Sequence, residues 1–98
     1  MNFEIAPKDT DVVLTWDDAV LYCECLYING YSDWRLPNYK ELEEIFESAN
    51  DFQKDWHWSS TTPYVSNMAW LHDFSNGDST YNFKSTTISF VRAVRTIK

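Results

Sequence analysis

Apolar residues along this chain change their spacing near residue 56, from helical steps of three and four to strand-like alternation. Before the helical region, Phe3 and Ile5 alternate with polar neighbours and predict an edge strand. Asp9 to Asp11 reads as a turn, and Val12-Val13-Leu14 as a second short strand. Trp16, Ala19, Val20, Cys23, Leu26 and Tyr27 then fall on one face of a helix. Thr15 is placed to cap it, with Asp18 three residues on; Asp17 and Asp18 stand where the helix dipole favours negative charge. Asn29-Gly30 predicts its stop, because Gly30 suits a left-handed position at a helix C-terminus. Pro37 interrupts the irregular stretch that follows. Asn38 then reads as the cap of a second helix with Glu41 as its partner. Leu42, Ile45, Phe46 and Ala49 form the inward stripe of that helix, and Glu43, Glu44 and Glu47 point outward.

Trp56-His57-Trp58 opens the strand-like half, with the hydroxyl run Ser59 to Thr62 after it and a loop from Pro63 to Asn67. Met68 to Phe74 and Ser79 to Lys84 predict two strands of a hairpin. Asn76-Gly77 supplies a strong two-residue turn signal between them, since both residues tolerate positive φ. Ile88 to Thr96 predicts a last strand, on which Arg92 and Arg95 fall on opposite faces. Helices followed by an antiparallel sheet give one α+β domain over residues 1–98.

Composition narrows the function classes. Five Trp, six Tyr and six Phe supply far more apolar surface than a disordered chain carries, despite a net charge of −7. Residues 1–55 hold thirteen acids against four bases, a net of −9, whereas residues 56–98 carry a net of +2. Such a balance argues against direct binding to nucleic acid and leaves room for a basic partner. No apolar run approaches the ~20 residues of a membrane span, and Met1 to Lys8 does not read as a signal peptide, so a cytoplasmic setting is expected. Cys23 and Cys25 point in different directions on a helix and make neither a disulfide nor a zinc site.

The blocks Thr15-Trp-Asp-Asp-Ala19, Gly30-Tyr-Ser-Asp-Trp-Arg-Leu-Pro37 and Lys40-Glu-Leu42 occur in order with Trp58-Ser-Ser60, Ala69-Trp70, Asp73-Phe-Ser-Asn-Gly77 and Val91-Arg-Ala-Val-Arg95. Over roughly residues 12–95 the chain resembles the domain family named after the C-terminal domain of the Legionella collagen-like protein. The resemblance implies a C-type-lectin-like fold, related to formylglycine-generating enzymes, with two helices on a twisted antiparallel sheet and the terminal strands side by side. It also implies a setting in extracellular or phage-related proteins, and kinship with an adhesin that binds polysaccharides. The lectin calcium signatures Glu-Pro-Asn and Gln-Pro-Asp are absent, and both cysteines lie on the first helix, unlike those of the related oxidases.

These readings point to a non-enzymatic binding protein with no cofactor and no metal. Trp56, Tyr64, Trp70 and Tyr81 are candidate anchors for a partner. The acids Glu43, Glu44, Glu47, Asp51 and Asp55 form a second candidate docking surface. Trp34, Arg35, Trp58 and Arg92 are expected to hold the architecture; Arg92 on a central strand needs an acid, which a helix glutamate or Asp33 would supply. Ser59 to Thr62 lie beside His57 but lack the elbow and oxyanion elements of a nucleophile site, and His57 with His72 makes a weak metal motif. The expected partner is a protein, in the setting of a phage or mobile-element protein acting on a host factor. The alternatives are a carbohydrate-binding module and an acidic nucleic-acid mimic that blocks a DNA-binding protein.

Overall fold

The computed structural model describes residues 2–49 and 51–97. Its elements are β1 (Phe3–Ile5), a 3-10 turn (Lys8–Thr10), β2 (Val12–Thr15), α1 (Trp16–Glu24), α2 (Tyr39–Ser48), β3 (Trp56–Trp58), β4 (Met68–Asp73), β5 (Ser79–Phe83), β6 (Ile88–Val91) and β7 (Val94–Thr96). The fold is α+β. Five strands lie side by side in the order β2-β6-β3-β4-β5, and β1 pairs with β7 in a separate two-stranded sheet. Pairing is antiparallel except between β3 and β6, where His57 meets Phe90 in parallel. The expected antiparallel sheet thus contains one parallel seam. A parallel neighbour needs a long crossover, and here β4 and β5 fill it before β6 returns on the far side of β3.

The alternation of side chains gives each helix its own face of the sheet. Trp58 and Leu71 are cross-strand partners, and with Ala69 and Val91 they pack against Ala19 and Cys23 of α1, Trp34 and Leu36. His57 and His72, the adjoining pair, face the other way. On that side Leu42 and Ile45 of α2 join Phe3, Phe52, Phe74 and Val94 in a second core. Burying each of these large side chains contributes about 1.5–3 kcal/mol.

Local chemistry sets the helix ends. Thr15 Oγ1 accepts the Asp18 N–H at 3.4 Å. In the second helix both halves of the capping box form: Asn38 Oδ1 accepts from Glu41 N and Glu41 Oε1 from Asn38 N, each at 2.8 Å. Helix α1 ends earlier than the apolar stripe predicts, with Cys25 as its cap, and Leu26 N bonds to Cys23 O at 3.2 Å in a tightened last turn. Beyond it, Ile28 and Tyr31 exchange backbone hydrogen bonds of 3.0 and 3.1 Å around Asn29 (φ 55°) and Gly30 (φ 83°). That is a two-residue turn of the kind expected at Asn76-Gly77. There the structure differs again: of that dipeptide only Gly77 has positive φ, and the β4–β5 connection is a longer loop closed by Gly77 N to Asp73 O at 2.7 Å.

The final strand is broken at Arg92-Ala93, so that β6 serves the large sheet and β7 the small one. The break carries Arg92 into the core. Arg92 Nε and Nη2 donate to the two carboxylate oxygens of Asp11, and its Nη1 and Nη2 reach the Ala6 and Asp51 carbonyls at 3.3 and 3.0 Å. The partner of Arg92 is therefore neither a helix glutamate nor Asp33. Asp33 instead takes Arg95, whose Nε lies 2.7 Å from Asp33 Oδ1 and whose Nη1 lies 3.2 Å from Glu4 Oε1.

Candidate functional site

Trp70 stands on β4 between Tyr39 of α2 and Tyr81 of β5. The Tyr39 and Tyr81 ring centroids lie 5.9 and 4.9 Å from it, with interplanar angles of 56° and 76°. Register brings Tyr81 there, since it is the cross-strand partner of Trp70. Tyr39 is set by a staple: its backbone N–H donates to Thr61 Oγ1 at 2.9 Å, tying the first turn of α2 to the segment after β3. A cavity of about 230 Å³ opens among Tyr39, Thr61, Trp70 and Ser79. It holds one ring or side chain rather than a whole small-molecule ligand of the usual size.

Most of the polar groups here, though not Thr61 Oγ1, are unspent. Trp16, Trp34 and Trp58 each donate the indole N–H to a backbone carbonyl, at 2.9, 3.1 and 2.9 Å. Among the described residues the Trp70 indole N–H and the Tyr39 and Tyr81 hydroxyls have no such partner. Beside them β5, at the edge of the sheet, is exposed at every residue.

The four predicted rings do not form one surface. Trp70 and Tyr81 meet. Trp56 is half-buried and packs against the α1-side core, while Tyr64 is wholly exposed on the loop after Pro63. Tyr39 is a further member of the site; its spacing to Leu42 and Phe46 puts it on the inward stripe of α2, but that spacing alone does not bring it to the groove.

The five acids separate as well. Glu43, Glu44 and Glu47 are exposed on α2. Asp51 and Asp55 lie beyond its end at Ser48. Asp51 Oδ2 is 3.5 Å from Arg92 Nη1, and Asp55 Oδ1 accepts the Trp56 N–H at 2.7 Å. The expected single acidic face therefore ends with the helix, and its last two acids serve the fold. Trp34, Trp58 and Arg92 are buried. Arg35 is partly exposed and makes a bidentate pair with Glu41, both bonds 2.8 Å, beside its backbone bridge to Val94. Burial alone would raise the Glu41 pKa; the Arg35 and Asn38 hydrogen bonds outweigh it and hold the carboxyl below its ordinary range.

Other titratable groups are committed or sequestered. Burial, then the Glu24 charge, pushes the Cys23 thiol up to about 12, so it stays protonated. The Ser59 hydroxyl is buried and donates to the Trp70 carbonyl at 2.8 Å, while His57 Nδ1 faces the Asp55 carbonyl at 3.0 Å. In the hairpin loop, Asp73 accepts from Ser75, and Asn76 and Asp78 bond to each other. Among the described residues no three His, Cys, Asp or Glu side chains converge as metal ligands. No helix among them is long and apolar enough to cross a membrane.

No curated protein matches the chain. The profile of the Lcl C-terminal domain matches residues 4–95, from the middle of β1 into β7, and so takes in the strands that build the groove and the helix that walls it. The chain belongs to the Lcl C-terminal domain family.

Proposed function

We propose that this domain is a non-enzymatic binding module that holds a segment of a protein partner against the Tyr39–Trp70–Tyr81 groove. The observation that carries this reading is the Trp70 ring, half-exposed between two tyrosines, with its N–H unspent beside a one-ring cavity. The groove offers hydrogen-bond donors and apolar ring faces, and among the described residues no carboxylate or amide side chain lines the cavity. Peptide carbonyls need such donors. Sugar hydroxyls are better served by in-plane carboxylates and amides, which makes a glycan the second choice. The exposed β5 edge adds backbone groups to which an extended segment can pair. As a separate part of the proposal, the domain acts on a host protein in the cytoplasm as a phage-related factor.

Affinity capture from host lysate, with wild type and Trp70→Ala compared at 0.15 and 0.5 M salt, tests it. A protein held by wild type at both salts and lost from Trp70→Ala supports the groove. Capture abolished by high salt and by joint Glu43, Glu44 and Glu47→Gln substitution would move the site to the acidic helix, since screening weakens exposed charge contacts. Binding only on a glycan array would replace the protein reading.

A further inference from the structure

His57 and His72 stand directly opposite each other on β3 and β4, and their residues are 1% and 3% exposed. Aromatic rings enclose both. His57 packs on Phe52, Phe74 and Phe90 at centroid distances of 5.2, 4.6 and 5.5 Å. His72 packs on Tyr39, Phe46 and Phe74 at 5.9, 5.1 and 5.2 Å. Among the described residues, only His57 Nδ1 of the four ring nitrogens has a partner, the Asp55 carbonyl; His57 Nε2 and both nitrogens of His72 have none there. A neutral imidazole survives in such a cage, whereas an imidazolium must find water or an anion.

We infer that the His57–His72 pair is an acid-operated latch: proton uptake by the pair forces α2 and its Tyr39 wall away from the sheet and takes the groove apart. The lever is His72, because two of the rings against it, Tyr39 and Phe46, belong to α2, and Tyr39 is also a wall of the cavity. The charges facing the pair do not relieve it. Around His57, Asp11 is taken by Arg92, the Asp55 carboxylate is bonded to the Trp56 N–H, and Arg92 itself repels a second cation. Around His72, Glu43 on α2 is exposed to screening water, and Asp73 on β4 is bonded to Ser75. Burial outweighs these carboxylates at both sites, lowering the His72 pKa and bringing His57 to about 4. Closure is thus at full strength above the ordinary histidine value of 6.5. It weakens as pH falls below that value, by up to about tenfold per histidine per pH unit, until the closed form itself takes protons. The latch does not depend on what the groove binds.

Hydrogen-exchange protection of the α2 amides, with NMR of the histidine rings, tests this between pH 7.5 and 4.5. Protection factors in α2 should fall below pH 6.5, by up to about tenfold per unit for each histidine that the opening frees, while the His57 ring signal of the closed form stays at its neutral position. An imidazole that titrates near pH 6.5 with α2 protection unchanged overturns the inference. Joint His57→Leu and His72→Phe substitution should make α2 protection flat across the window, and a loss equal to that of wild type again overturns it. If the double variant does not fold, His72→Phe alone should reduce the slope to at most about tenfold per unit, and an undiminished slope counts against the latch.

Discussion

The break between β6 and β7 and the β3–β4 pair both bury groups that can carry a proton, and they handle them in opposite ways. Arg92 is wrapped by two carboxylate oxygens and two carbonyls, and its guanidinium lies 4.3 Å above the Phe52 ring centre. Among the described residues, His57, packed on that same Phe52 ring, keeps one nitrogen without a partner, and His72 beyond it keeps two. Arginine stays charged at any working pH, so its burial requires a complete set of acceptors. Histidine can shed its charge, so a sheet can tolerate it bare as long as the medium stays neutral. One wall of the core is therefore indifferent to mild acid and the other is not.

Removing the arginine should have the largest effect. Arg92→Ala leaves Asp11 and two inward carbonyls without a donor, and a loss of about 3–5 kcal/mol is expected in urea unfolding at pH 7.5. Gly77→Ala should come next. Its φ of +83° disfavours a side chain, and the new Cβ would sit 2.9 Å from Phe46 Cε2, within the ring cluster around His72. A cost of about 2 kcal/mol is expected, against about 1 for Gly30→Ala, which has the same φ but open space around it. Glu41→Gln removes the charge from the Arg35 pair and weakens the capping box, for about 1 kcal/mol. Because the folded Glu41 pKa is lowered, its contribution is present above its ordinary value of 4.5 and disappears as pH falls through the folded value. In a stability–pH curve the histidine wall should therefore weaken first, from pH 6.5 downward, and the carboxylates only later. His72→Phe should change stability least at pH 7.5, within about 1 kcal/mol in either direction, because an apolar ring replaces one whose nitrogens bond nothing. A loss above 3 kcal/mol there would mean that those nitrogens have partners in solution and would erase the contrast.

Much of this fold is legible in the sequence, because short-range rules govern it. Thr15 and Asn38 cap helices where their spacing to Asp18 and Glu41 predicts. The two Asn-Gly pairs show where local rules stop. Each dipeptide permits either a helix stop or a hairpin turn, and the choice falls to tertiary contacts. Asn29-Gly30 closes a tight turn after α1 has already ended, whereas the Asn76-Gly77 loop lengthens and sets Gly77 against Phe46 of α2. The arginine partners were illegible for the same reason. Asp11 and Arg92 are 81 residues apart and meet only because β2 pairs with β6. Of the groove, Trp70 and Tyr81 could be singled out as aromatics in a predicted hairpin. The place of Tyr39 depends on the Thr61 staple, which no periodicity encodes.

The pairing of β1 with β7 has a topological consequence. Ile97 N bonds to Asn2 O at 3.1 Å, so the two ends of the described chain leave the body at a single point. The order of elements is then effectively cyclic: a short Gly/Ser bridge between those ends, with new termini cut into the exposed 64–67 loop, would rearrange the gene while leaving every strand beside its present neighbours.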